Sequence, residues 1–363
     1  MRLLGNAINH LLLCAVIFTP VFGSAQAIRP EKPADLNVLI SGNPEDKVVE
    51  LTEGPVAILM GGGPEVDRAF QKHAFPIIKG GDIVVLRVSR LGGYNPYFYD
   101  DLAEGNLKPD SVETIQLDTA EQANSDYVAW AIETAEMVWI AGGDQSAYLE
   151  AWRGTRAQKA LQSVWDKGGV VGGTSAGLAI LGQFIFDPLN VDATNSVGSI
   201  QNPYNSGAII SDRFINIPYL DHTITETHFR NRDRMGRTLG FMAVIREENR
   251  APIMRAVCVS ESSAITIKKN GIGEVDADEE VYILMETVDT KRENVNPDEP
   301  LIYGPVQRVR LVDGDQFNFN TWSSLKPALE IAVNGSTVIP ASYYEDVNEE
   351  ATSGLSPQQL IGN

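Results

Sequence analysis

The chain has 363 residues, 43% of them hydrophobic, enough for one large packed domain or two modest ones, which excludes general disorder. Its formal charge is −19, so a phosphate backbone or an anionic membrane surface would repel it, and neither nucleic acid nor a membrane is expected as a partner.

Residues 1–27, MRLLGNAINHLLLCAVIFTPVFGSAQA, carry an early Arg2, an apolar run from Leu11 to Phe22, and Ala25-Gln26-Ala27 in the small-x-small arrangement of a signal-peptidase site. This reads as a secretory signal peptide. Cys14 follows Leu13, where a lipoprotein signal would place a small residue, so no lipid anchor is expected. No later segment offers about 18 uninterrupted apolar residues, and a soluble, secreted or periplasmic product is expected. Cleavage leaves Cys258 alone, which rules out an internal disulfide and a thiolate zinc cluster. Residues 28–344 read as a single domain, and 345–363 as a weakly ordered tail.

Within that domain, four short apolar runs end in glycine or a polar turn, PVAILMGGG from Pro55, GDIVVLRVS from Gly81, AEMVWIAGGD from Ala135 and GGVVGGTSAG from Gly168, and SVETIQLD from Ser111 fits as another strand. Helical patterns such as Ser146 to Lys167 separate them, which predicts an α/β fold with a doubly wound, mostly parallel sheet. Ligands on such sheets gather outside the carboxyl ends of the strands, where GGG, GGDQ and TSAG fall. From Gln183 to Asp221 the pattern loosens into a long loop, read equally as a wall or lid of a site and as a surface excursion. After Ala256 the chain turns β-rich, and the acidic residues between Glu274 and Glu280 and near Asp298 are expected in solvated turns.

Gly173-Thr174-Ser175-Ala176-Gly177 satisfies the G-x-S-x-G nucleophile elbow, in which small neighbours permit a strained serine between a strand and a helix. A tight packing corner is the other reading. The helix beyond Ser175 would aim amides and a positive dipole end at the hydroxyl. A nucleophilic serine needs a base, and after signal removal the histidines are His73, His222 and His228. His73, in RAFQKHAF, has no acidic neighbour in sequence and is expected at the surface or in packing. His228 precedes Arg232, Arg234 and Arg237, which suit a carboxylate-bearing ligand. A metal-dependent hydrolase built on Asp221, His222, Glu226 and His228 is the competing enzyme class, and a binding protein without catalysis is a third reading.

GGTSAG at 172–177, GGDQ at 142–145, THFRNRDRMGR at 227–237 and VSESSAITI at 259–267, in that order, resemble the serine exopeptidases that include cyanophycinase and aspartyl dipeptidase. ILMGGGPEVDRAF and LVDGDQFNF resemble the cyanophycinase branch. The resemblance implies a class I glutamine-amidotransferase-like α/β fold with a β-rich C-terminal extension, and a triad of Ser175 as nucleophile, His228 as base and Glu261 as orienting acid. It implies an oxyanion hole from Ala176 with Gly62 and Gly63, and a substrate pocket from Gln145, Glu226, Thr227, Arg232, Arg234 and Arg237. The arginines would hold an aspartyl carboxylate, and Glu226 would pair with a guanidinium. No cofactor or metal is required. The implied substrate is cyanophycin, cleaved to β-Asp-Arg, with isoaspartyl or N-terminal Asp dipeptides as alternatives; a homodimer is implied on the same ground. The chain departs from the family at Glu226-Thr227, where Asp-Gln is common, at Asn231, where Gln or Glu is frequent, and at Leu178, where alanine is frequent.

Overall fold

The computed structural model describes residues 28–102, 105–188, 191 and 193–346, so the expected signal peptide and the stretch 347–363 lie outside the described residues. Six strands come first: β1 (Asn37–Gly42), β2 (Val56–Met60), β3 (Asp82–Arg87), β4 (Ser111–Gln116), β5 (Met137–Ile140) and β6 (Val170–Thr174). β7 (Phe184–Phe186), β8 (Ile210–Asp212), β9 (Thr223–Glu226) and β10 (Arg255–Val259) follow, then β11 (Ser263–Ile267), β12 (Ile272–Ala277), β13 (Val281–Asn294), β14 (Ile302–Leu311), β15 (Gln316–Asn318), β16 (Ala328–Asn334) and β17 (Val338–Ile339).

They form two sheets of nine and eight strands. The first has the order β1-β4-β3-β5-β6-β2-β11-β12-β15, and its five central strands, β4 to β2, run parallel. β2, β3, β5 and β6 read as largely apolar runs because both faces are covered, whereas β4, SVETIQ, is buried yet carries Glu113 and Thr114. Ile58, Val85 and Trp139 face a layer containing Phe70, Phe75 and Phe98, whereas Leu59, Leu86 and Ile140 face one containing Tyr148, Trp152 and Leu161. The helical pattern from Ser146 to Lys167 resolves into two helices, Gln145–Trp152 and Arg156–Asp166, broken at Gly154 with φ +78°.

The second sheet has the order β17-β16-β14-β13-β10-β9-β7-β8 and packs the helix Met235–Glu247 against Phe184, Ile224, Phe229 and Tyr282. The β-rich sequence after Ala256 is shared between the sheets: β11, β12 and β15 extend the first, while β13, β14, β16 and β17 build the second. The loose stretch 183–221 contains β7, β8 and the helix Ser196–Gln201. Its strands are only three residues long and edge the second sheet, too short to leave a period in sequence.

One expectation is resolved, His73 taking the packing alternative, and one is corrected. His73 is buried, and its Nε2 lies 3.1 Å from Asp276 Oδ2, a partner 203 residues away and therefore invisible in the local sequence. The acidic run 274–280 is largely strand β12 rather than solvated turn: Asp276 is fully buried and accepts from Lys72 Nζ at 2.6 Å, and Glu280 is buried between Arg230 and Arg310. Glu345, placed in the tail by sequence, is ion-paired to Arg230, and Asp346 to Arg310.

Candidate active site

The site forms where the two sheets meet. β6 ends at Thr174, and Ser175 takes φ +53° and ψ −117° before a four-residue helix, Ala176–Ala179. A serine there is strained, at a cost of about 1–3 kcal/mol that the surroundings must hold in place. They do so by close approach: a Cβ on Gly173 would lie 2.5 Å from the Gly177 carbonyl carbon, and one on Gly177 would lie 2.1 Å from Ile140 O. The Ser175 amide donates to Met60 O at 3.0 Å, tying the elbow to the end of β2. The helix is a single turn, so the dipole expected from sequence shrinks to the local amides.

β9 delivers His228 from the second sheet. Its backbone is also left-handed, at φ +44°, and its amide donates to Gly61 O at 2.8 Å. Buried Phe229 locks the turn, its amide donating to Val259 O at 3.1 Å. Glu261 sits where the chain steps from β10 of one sheet to β11 of the other. The three side chains meet in series: Ser175 Oγ is 2.7 Å from His228 Nε2, and His228 Nδ1 is 2.6 Å from Glu261 Oε1.

The loop Gly61–Gly63 lines this series. A Cβ on Gly62 would strike the His228 ring, and one on Gly63 would lie 3.0 Å from Glu261 Cβ. Among the described residues the amides of Gly62, Gly63 and Ala176 make no hydrogen bond, which leaves them free as donors to an oxyanion. Burial holds the His228 imidazolium below the usual histidine range, reinforced by the Arg232 and Arg234 charges and opposed by the bond to Glu261. A neutral imidazole that accepts from a serine hydroxyl and is oriented by a carboxylate can act as a general base.

Beside Ser175 and His228 opens a cavity of about 180 Å³. Gln145, Ala176, Glu226, Thr227, Arg232, Arg234 and Arg237 line it, so every residue expected in the substrate pocket reaches one cavity. Phe186, Pro188 and Ala193 also line it, so the 183–221 stretch forms part of the cavity wall. Gln145 Nε2 donates to Phe186 O at 3.0 Å.

The charges are not arranged as the sequence suggested. Glu226 does not stand free for a guanidinium. Its Oε1 accepts from Arg234 Nη1 at 2.9 Å, Arg237 Nη2 at 2.7 Å and the Thr227 amide at 3.0 Å, and its Oε2 accepts from Arg237 Nε at 2.9 Å. Burial works to raise this carboxyl, but Arg237 and Arg234 outweigh it and hold it below the ordinary range. Burial likewise lowers the Arg234 guanidinium to about 10, against the pull of Glu226. Exposed Arg232 has no ion-pair partner among the described residues and is the cavity's uncommitted cation.

The metal reading fails on geometry: Asp221 accepts from Arg213, Glu226 is saturated by arginines, and His228 belongs to the serine series. Among the described residues the one His/Asp/Glu group close enough to share an ion is His73, Glu274 and Asp276, whose carboxylates already carry Lys268 and Lys72.

Sequence reasoning missed the support of Glu261. Asn231 Oδ1 accepts from the Glu261 amide at 2.8 Å, and Asn231 Nδ2 donates to Glu279 Oε1 and Oε2 at 3.0 and 2.9 Å. Its place inside the polar string after His228 was the available signal, but nothing local pointed to a partner 30 residues on.

Residues 90–271, half of the chain, match peptidase family S51. The chain is 24% identical over 212 residues to the cyanophycinase of Trichormus variabilis, covering 58% of this chain and 65% of that one. It is 26% identical over 187 residues to the cyanophycinase of Synechococcus elongatus, covering 51% and 53% respectively. Less than two thirds of each relative's length is therefore spanned. A crystal structure of a peptidase from an acI-B1 actinobacterium aligns with 74% of this chain and 98% of its own at 13% identity and a TM-score of 0.49.

Proposed function

The chain belongs to peptidase family S51 and is a serine-type peptidase, and on that premise we propose that it is a secreted exopeptidase releasing β-Asp-Arg from cyanophycin. The observation that carries the mechanism is the unbroken series Ser175–His228–Glu261, at 2.7 and 2.6 Å. His228 takes the Ser175 proton as the oxygen attacks the scissile carbonyl; Glu261 orients the ring and stabilises the imidazolium. The amides of Ala176 and of Gly62 or Gly63 hold the developing oxyanion, His228 returns the proton to the leaving amine, and water then releases the acyl group by the reverse roles.

Cyanophycin is a polyaspartate bearing arginine on each side-chain carboxyl, so a cleaved unit presents both a free carboxylate and a guanidinium. Arg232, uncommitted at the cavity, suits the carboxylate. Glu226 serves instead as the buried counter-charge that sets Arg234 and Arg237. The first sheet with its elbow supports a class I glutamine-amidotransferase-like reading of the fold, whose serine in place of cysteine fits peptidase rather than amidotransferase chemistry. Secretion rests on the signal-like residues 1–27, and a homodimer on the family resemblance.

The test is to incubate purified cyanophycin with the protein beside isoaspartyl and α-Asp dipeptides, and to identify the products by mass. Release of β-Asp-Arg supports the substrate. Cleavage of the small peptides alone would move the assignment to the aspartyl dipeptidase side of the family.

A further inference from the structure

The segment from His228 to Arg237 carries the base and the three cavity arginines, yet part of its geometry is set from the far end of the chain. Arg234 is the N-cap of the helix Met235–Glu247, and its side chain makes no cap hydrogen bond. The first helical amide, Met235 N, donates instead to Tyr344 Oη at 3.2 Å, from 109 residues away. The same phenol donates to Asp233 Oδ1 at 3.0 Å, and Asp233 is held left-handed at φ +44°. One hydroxyl thus brackets Arg234 on both sides. The Tyr344 ring packs edge-on against Phe229, the residue after the base, with centroids 5.8 Å apart, and against Tyr282 at 5.5 Å. Glu345 adds a bond to Arg230 at 2.9 Å. Tyr344 and Glu345 themselves lie outside the 90–271 family match, while the residues they hold lie inside it.

Resting on the peptidase reading above, we infer that Tyr344 is a positioning residue: by capping the helix at Met235 and holding Asp233, it fixes the backbone from which Arg232 and Arg234 reach the cavity. Its loss weakens substrate capture and leaves the chemical step at Ser175 intact, because none of its contacts touches Ser175 or Glu261.

Tyr344→Phe removes the hydroxyl and keeps the ring. Hydrogen exchange followed by mass spectrometry should show the 232–238 amides opening roughly tenfold faster, as loss of one net hydrogen bond implies. Kinetically, KM should rise roughly three- to tenfold while kcat stays within about twofold. Tyr343→Phe is the control: it loses a 3.1 Å bond to Asp233 but makes none to Met235, so exchange at Met235 should stay as in the parent. Should Tyr344→Phe fail to fold, Asp233→Gly leaves the ring packing untouched and tests the same bracket. Unchanged exchange at 232–238, equal effects of the two tyrosine variants, or a fall in kcat as large as that in kcat/KM would each overturn the inference. Exchange needs no substrate, so it decides the positioning role even if cyanophycin proves not to be cleaved.

Discussion

Gly62 lies against the imidazole of His228: a Cβ at Gly62 would come within 2.3 Å of ring Cε1 and 2.7 Å of Nε2. The glycine also sits at φ +105°, where an L side chain is strained. Gly62→Ala must therefore push His228 off Ser175 or distort the loop whose amides are proposed to hold the oxyanion. We expect kcat to fall by about a hundredfold or more, the scale of losing an oxyanion donor, with the thermal midpoint only modestly lowered. A variant with parental kcat would show that the loop and ring are not coupled.

The acid limb of kcat/KM should fall below the ordinary histidine value of about 6.5, since burial disfavours the imidazolium and the active base is the neutral ring. Arg232 also depresses it, so Arg232→Gln should move the limb upward toward the ordinary value. A limb above about 7 in the parent would contradict this picture of the site.

Asn231 holds the backbone of Glu261 at 2.8 Å and is held in turn by Glu279. Asn231→Ala should loosen the orienting carboxylate and lower kcat roughly tenfold, as one lost hydrogen bond to a positioned group implies, with little change in KM. Equal falls in affinity and turnover would point to collapse of the loop instead.

Glu226→Gln leaves two buried guanidinium groups without their carboxylate. Breaking a buried pair in this way costs about 3–5 kcal/mol, measurable by denaturant unfolding at neutral pH. The pH sign follows from the depressed carboxyl: its stabilisation is present above the ordinary glutamate range and is lost as pH falls through the lower folded-state value. The stability gap between parent and variant should therefore narrow on acidification. A variant as stable as the parent at neutral pH would refute the counter-charge role.

The central sheet was legible because four of its parallel strands, buried on both faces, write themselves as largely apolar runs, with the more polar β4 fitting between them. The elbow was legible because Gly173 and Gly177 are demanded by backbone contacts two residues to either side of Ser175. What stayed hidden was pairing at long sequence range. Asp276 for His73, Asn231 for Glu261 and Tyr344 for Met235 are ordinary residues until the fold brings them together. Glu226 does line the cavity beside Ser175, but its partners eight and eleven residues on were read as ligand groups because a sequence does not show which charges are already neutralised.

The most direct measurement is turnover of the parent beside Ser175→Ala, with mass spectrometry of the intact protein after exposure to a serine-directed fluorophosphonate. We expect one adduct per parent chain on the peptide containing Ser175, none at that position in the variant, and a loss of turnover of at least about a thousandfold in the variant. Retained turnover in Ser175→Ala, or an adduct on a different serine, would contradict the claim that Ser175, His228 and Glu261 perform the chemistry.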